Sequence, residues 1–251
     1  SCLLGASDDG NSAGVGEVVQ TAGIVIPLEL EVGGAVEDPL GVEGAYRLSG
    51  GILQTNNPDD GNVEIGKAGL GLLIQTGGTI NAAQGFRLGE EGDGTMEMSG
   101  GVLNMGELVN VADRGTGLFD QSGGTVNAGG WIEIGGRDFG PGRRADGTYR
   151  LTGGVLNAIG SHPATPGPIR VGFEGEGTFE VGPNGTANIA QNLVAGVTPT
   201  GNGTITTSGT LNIEGEIIIG RTGTGQMTVN GGVITSEKAF KIGQGTEELP
   251  N

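Results

Sequence analysis

The sequence predicts an all-β chain: a single-stranded parallel β-helix, or β-solenoid, of about nine coils of roughly 23–31 residues each. Three observations carry that expectation. A Ser/Thr-Gly-Gly signature recurs along the chain, with its second glycine at Gly51, Gly78, Gly101, Gly124 and Gly154, variant copies aligning at Gly23 and Gly232, and more degenerate ones at Gly185 and Gly209. Around each copy, Val, Ile and Leu fall in short alternating runs, the period of a half-buried strand. The 56 glycines do not recur at every third position, and prolines number only 10, so a collagen triple helix is excluded.

The chain divides into a polar, glycine-rich segment over 1–16, the solenoid over 17–245 and a tail over 246–251. Each coil is expected to hold three short strands. The first precedes the glycine pair and points Tyr46 and Leu48, Leu73 and Gln75, Met96 and Met98, Phe119 and Gln121, and Tyr149 and Leu151 inward at a spacing of two. The second follows the pair, and its residues divide into columns. One column is aliphatic (Leu53, Ile80, Leu103, Val126, Leu156, Ala187, Leu211, Ile234) and is assigned to the core. Its neighbour is β-branched (Ile52, Thr79, Val102, Thr125, Val155, Thr186, Thr210, Val233) and is assigned to the surface, because adjacent residues of a strand face opposite ways. Next comes an amide column, Asn81, Asn104, Asn127, Asn157, Asn188 and Asn212, with Gln54 and Thr235 at its ends, expected to form a structural ladder along the axis. The third strand closes each coil at Val32-Gly33, Ile65-Gly66, Leu88-Gly89, Ile134-Gly135, Val171-Gly172, Ile219-Gly220 and Ile242-Gly243, the glycines supplying corner backbone angles.

The repeat, seen best in Thr95–Asn104 (Thr-Met-Glu-Met-Ser-Gly-Gly-Val-Leu-Asn) and Thr148–Asn157 (Thr-Tyr-Arg-Leu-Thr-Gly-Gly-Val-Leu-Asn), resembles the glycine-rich β-strand repeats of bacterial autotransporter passengers and large secreted surface proteins. The resemblance covers about residues 17–245. It implies a right-handed parallel β-helix acting as a stalk, adhesin or surface layer outside a bacterial cell. Unlike autotransporters, these residues include no segment patterned as a membrane barrel.

Charge narrows the partners. With 29 acidic against 12 basic residues, a net charge of −17 disfavours nucleic acid and anionic membranes and suits diffuse Ca²⁺ binding. No apolar stretch is long enough to span a bilayer as a helix. The single cysteine, Cys2, permits no internal disulfide; it reads as an exposed thiol, a lipidated anchor or a cross-link to another chain. Catalytic patterns are not evident. One histidine and one cysteine make no metal cluster, and Gly61–Lys67 departs from a phosphate loop because Ala68 replaces the hydroxyl residue. The acidic runs Ser7–Asp9, Asn57–Asp60 and Glu90–Asp93 read as solvated turns.

One region breaks the monotony. The longest coils carry insertions around 136–146 and 159–168, and Arg137, Arg143, Arg144, Arg150 and Arg170 fall there, beside Trp131, Phe139 and His162. Loops that leave a solenoid are where partners bind. The candidate ligand residues are therefore Trp131, Arg137, Phe139, Arg143, Arg144, His162 and Arg170, facing an anionic sugar or an acidic neighbour. The expected function is a non-enzymatic, extracellular or cell-surface structural or adhesive solenoid that self-associates end to end into a fibre or layer, or engages surface glycans. The alternative is a carbohydrate-binding or polysaccharide-cleaving β-helix that uses the Trp131–Arg170 region.

Overall fold

The computed structural model describes residues 2–4 (backbone), 14–34, 43–57, 61–137, 145–160 and 169–245. Its described strands form a parallel β-solenoid with three strand columns. Six-residue strands such as Glu43–Leu48, Asp93–Met98 and Thr116–Gln121 make the first face. Past the glycine corner, Val102–Met105, Thr125–Ala128 and their equivalents make the second. These two columns belong to one sixteen-stranded sheet, joined where Asp146–Ala158 and Glu176–Ile189 run through the corner without a break. Three-residue strands such as Val63–Ile65 and Ile132–Ile134 make the third, short face, a separate sheet of ten.

The pairing registers reproduce the alignment of the repeat, including its degenerate copies. Gly154 pairs with Gly185, and Thr186 with Thr210, which fixes Gly185 and Gly209 in the anchor column. Cys2–Leu4, placed by sequence in the segment ahead of the solenoid, pairs with Leu30–Val32 and adds a strand to the short face.

The core is what the period-two pattern dictates. Leu53, Ile80, Leu103, Val126, Leu156, Ala187 and Leu211 are all fully buried, and an aromatic file runs along the axis through Phe86, Phe119, Tyr149 and Phe179. Phe119 and Tyr149 stack with centroids 4.4 Å apart. The β-branched column is half-buried over most of its length, because neighbouring coils at the strand spacing of roughly 4.8 Å shield one another's outward side chains. The amide ladder is continuous: each Nδ2 donates to the Oδ1 of the preceding coil at 2.8–2.9 Å, from Asn212 back to Asn81.

Buried glutamines pin the first corner. Gln20, Gln75 and Gln121 each donate to the carbonyl of their own anchor glycine and to a carbonyl one coil on. In two coils the glutamine Oε1 then accepts from the next coil's tyrosine, Tyr46 to Gln20 and Tyr149 to Gln121. Met96 takes that place beside Gln75, whose Oε1 is buried with no hydrogen-bond partner.

Glycine serves two separate needs. Gly66 and Gly89, after the short strand, lie at φ +70° and +62°, the left-handed region that a side chain disfavours. Gly94, at the start of the next first-face strand, lies outside that region but passes so close to the preceding coil that a Cβ would overlap the Ile65 carbonyl and the Gly89 amide. The same close approach holds at the equivalent second residue of other first-face strands, Gly71, Gly117, Gly147, Gly177, Gly203 and Gly225.

Candidate functional site

The sequence-derived candidates divide on the structure. Phe139, Arg143, Arg144 and His162 lie outside the described residues. Trp131, Arg137 and Arg170 are described, and Trp131 and Arg170 meet at Glu133, the middle residue of the short strand Ile132–Ile134. Trp131 Nε1 donates to Glu133 Oε1 at 3.1 Å, and Arg170 Nη1 donates to the same oxygen at 2.8 Å. The Arg170 guanidinium lies over the Phe173 ring, 5.5 Å from its centroid. Arg137 is exposed nearby, and its charge reaches Glu133. Arg150 does not join them. It is on the outer surface of the first face, bound to Glu180 at 3.0 Å and Asp120 at 3.5 Å.

Glu133 belongs to a row. Two residues before each short-strand corner, successive coils carry Glu31, Glu64, Arg87, Asn110, Glu133, Arg170, Val194, Ile218 and Lys241, all in direct register. Their side chains point out of the barrel, yet most are buried; Glu133 and Arg170 are 6% and 7% exposed. The short strand is too narrow for its central side chain to escape the turns on either side, so this face is a furrow with the row as its floor. A charge on such a floor requires a partner. Lys67 reaches Glu31 at 3.1 Å and Glu64 at 2.8 Å, and Arg87 holds Glu64 at 2.9 Å. Arg114 holds Glu90 and Glu91, so part of the acidic run Glu90–Asp93 is a cation clasp.

Burial leaves its mark on titration. It pushes the Glu133 carboxyl up, against the pull of Arg170, Trp131 and Arg137, and it lowers the Arg170 guanidinium against the pull of Glu133. Glu90 is likewise raised, by burial first and by Glu64 second. At Lys67 burial alone would lower the ammonium, but Glu64 and Glu31 outweigh it and the pKa is raised.

Chemically, the Trp131–Glu133–Arg170–Phe173 cluster is organised around one carboxylate. Its carboxylate is shared between an indole and a guanidinium, which orients all three groups. Among the described residues, no group of three or more His, Cys, Asp and Glu side chains is placed to hold a metal ion. Sequence reasoning singled out Trp131 and Arg170 but passed over Glu133 and Phe173. The available signal was the run of charged or amide residues two places before the corners, Glu31, Glu64, Arg87, Asn110, Glu133 and Arg170.

The chain matches no protein family, no curated protein and no solved structure.

Proposed function

We propose that this chain is a non-enzymatic structural solenoid of a secreted or cell-surface protein, and that it associates end to end through its coil edges. The observation that carries the reading is the unbroken in-register stacking of both parallel sheets along the described strands, and the last described coil shows what a stacking neighbour covers. Val229, Phe240 and Ile242 occupy core positions there, yet they are 54%, 54% and 75% exposed. Their equivalents one coil earlier, Thr207, Ile217 and Ile219, are buried at 0%, 2% and 5%. A further layer of strands covers such an apolar surface and satisfies its backbone edge, whether it comes from the same chain or from a second copy.

Sedimentation and negative-stain microscopy over a wide concentration range test the proposal. The expected result is concentration-dependent linear assembly that Ile242→Lys abolishes, because a lysine in the edge strand repels a stacking neighbour. A monomer at every concentration overturns it.

A further inference from the structure

The outer surface of the first face changes character along the axis. In its first four coils, three outward columns run in register: Val15, Glu43, Leu70, Asp93; Glu17, Ala45, Leu72, Thr95; and Val19, Arg47, Ile74, Glu97. Later coils fill the first two columns with Thr116, Asp146, Glu176, Asn202 and Thr224, and with Leu118, Thr148, Thr178, Thr204 and Gln226. Hydroxyl and amide groups thus predominate where the early coils place Leu70 and Leu72.

The early coils form an open groove of about 540 Å³ on this surface. Its floor is Ala45, Leu70 and Leu72, with Leu70 47% exposed. Glu17, Glu43, Asp93 and Glu97 ring that floor. Glu17 is engaged by Arg47 at 2.6 Å, and no salt bridge to a described residue engages the other three. Glu43 and Asp93 sit one strand to either side of Leu70, so their Cα atoms are roughly 10 Å apart at the spacing of parallel strands. An exposed aliphatic flanked by two carboxylates that no described cation engages fits a ligand of the inverse pattern.

We infer that this groove docks a basic peptide segment of a partner protein, one that presents an aliphatic side chain between two cationic ones. The aliphatic residue covers Leu70 and Leu72, and the cations meet Glu43 and Asp93. Diffuse attraction by a chain of net charge −17 would draw any polycation, whereas the groove requires the apolar residue as well.

The test is titration of the full chain with three synthetic peptides, Lys-Leu-Lys-Leu-Lys, Lys-Ser-Lys-Ser-Lys and Glu-Leu-Glu-Leu-Glu, by fluorescence anisotropy at physiological salt. The first is expected to bind about tenfold tighter than the second, with no binding of the third. Leu70→Thr/Leu72→Thr, which gives these positions the threonine found at Thr116 and Thr148 in the same columns, is expected to erase that tenfold preference while leaving the thermal midpoint unchanged. Glu43→Gln/Asp93→Asn is expected to weaken the Lys-Leu peptide about tenfold, whereas Glu214→Gln/Glu237→Gln, removing equal charge elsewhere, is not. Equal binding of the Lys-Leu and Lys-Ser peptides, or equal loss in the two charge variants, reduces the effect to diffuse attraction and overturns the inference. Self-association that the leucine variant abolishes assigns the groove to a second copy and overturns it equally.

Discussion

The floor of the short face is charged or polar from Glu31 to Arg170 and aliphatic at Val194 and Ile218, although the backbone and register are the same throughout. Burial is also alike: Glu133 and Arg170 are 6% and 7% exposed, Val194 and Ile218 4% and 2%. The two halves meet that burial differently. Val194 and Ile218 pack with Val197 and Phe173 into a small satellite cluster and need nothing else. Glu133 and Arg170 need each other. The furrow therefore demands occupancy rather than any particular chemistry, and the charged half is the one in which a single substitution breaks a buried ion pair.

The largest expected effect follows from breaking that pair. Glu133→Ala removes the carboxylate from beside a buried guanidinium and should cost about 3–5 kcal/mol of unfolding free energy. Chemical denaturation followed through Trp131, the chain's single tryptophan, reads it directly. The double variant Glu133→Leu/Arg170→Leu extends the aliphatic half across the pair, and it should recover the whole loss or exceed wild type by about 1 kcal/mol. A double variant as unstable as Glu133→Ala would mean that the pair is required for more than mutual compensation.

Asn110 marks an intermediate case. It sits on the floor between Arg87 and Glu133, and its Oδ1 is buried without a hydrogen-bond partner. Asn110→Val, which copies the solution at Val194, should add about 1–2 kcal/mol by removing an unsatisfied acceptor. Destabilisation in the same denaturation experiment would show that the amide is needed where it stands.

The uneven legibility of this molecule has a physical origin. Inward columns such as Leu53 to Leu211 were readable because strand alternation sends every second side chain to the core, a rule internal to one strand. The same rule sends Glu133 and Arg170 outward, and it says nothing about whether the turns of the same and adjacent coils close over them. Burial of an outward residue is a tertiary fact, and the run of charged and amide residues in that column was its one trace in the sequence. Two short strands, Val109–Val111 and Leu193–Ala195, escaped the Val-Gly or Ile-Gly signature because Ala112 replaces the corner glycine in one and Ala195 the β-branched residue in the other. Arg150 was grouped with Arg170 by closeness in sequence, but a solenoid turns a corner between them and places them on different faces.

Ala112 tests the corner beside the charged floor. It is the one non-glycine among the described residues with positive φ, at 65°, where equivalent coils carry Gly89 and Gly135. An L-residue in that region is strained by about 1–2 kcal/mol, so Ala112→Gly should raise the denaturation midpoint by what remains after the roughly 0.4–1 kcal/mol that glycine loses through its unfolded-chain entropy. A lowered midpoint would indicate that packing of the buried methyl outweighs the strain.

The smallest effect is in pH, and it separates the two halves without altering their shape. Burial holds the Glu133 carboxyl above its ordinary value, with Arg170, Trp131 and Arg137 pulling the other way. A carboxyl raised in the folded state binds its proton more readily there than in the unfolded chain. Its contribution to stability is therefore fully present below the unfolded pKa and is lost as pH rises through the folded one. Wild type should gain stability relative to Glu133→Gln as pH falls from neutral towards the ordinary carboxylate range. Glu90, raised in the same sense by burial and by Glu64, is present in both proteins and cancels in the difference. In the background of Glu133→Leu/Arg170→Leu, where the floor is aliphatic from Glu133 to Ile218, the Glu133-dependent part of the slope should vanish. A wild-type minus Glu133→Gln difference that is flat in pH, or that grows as pH rises, would show that Arg170 rather than desolvation governs this carboxyl.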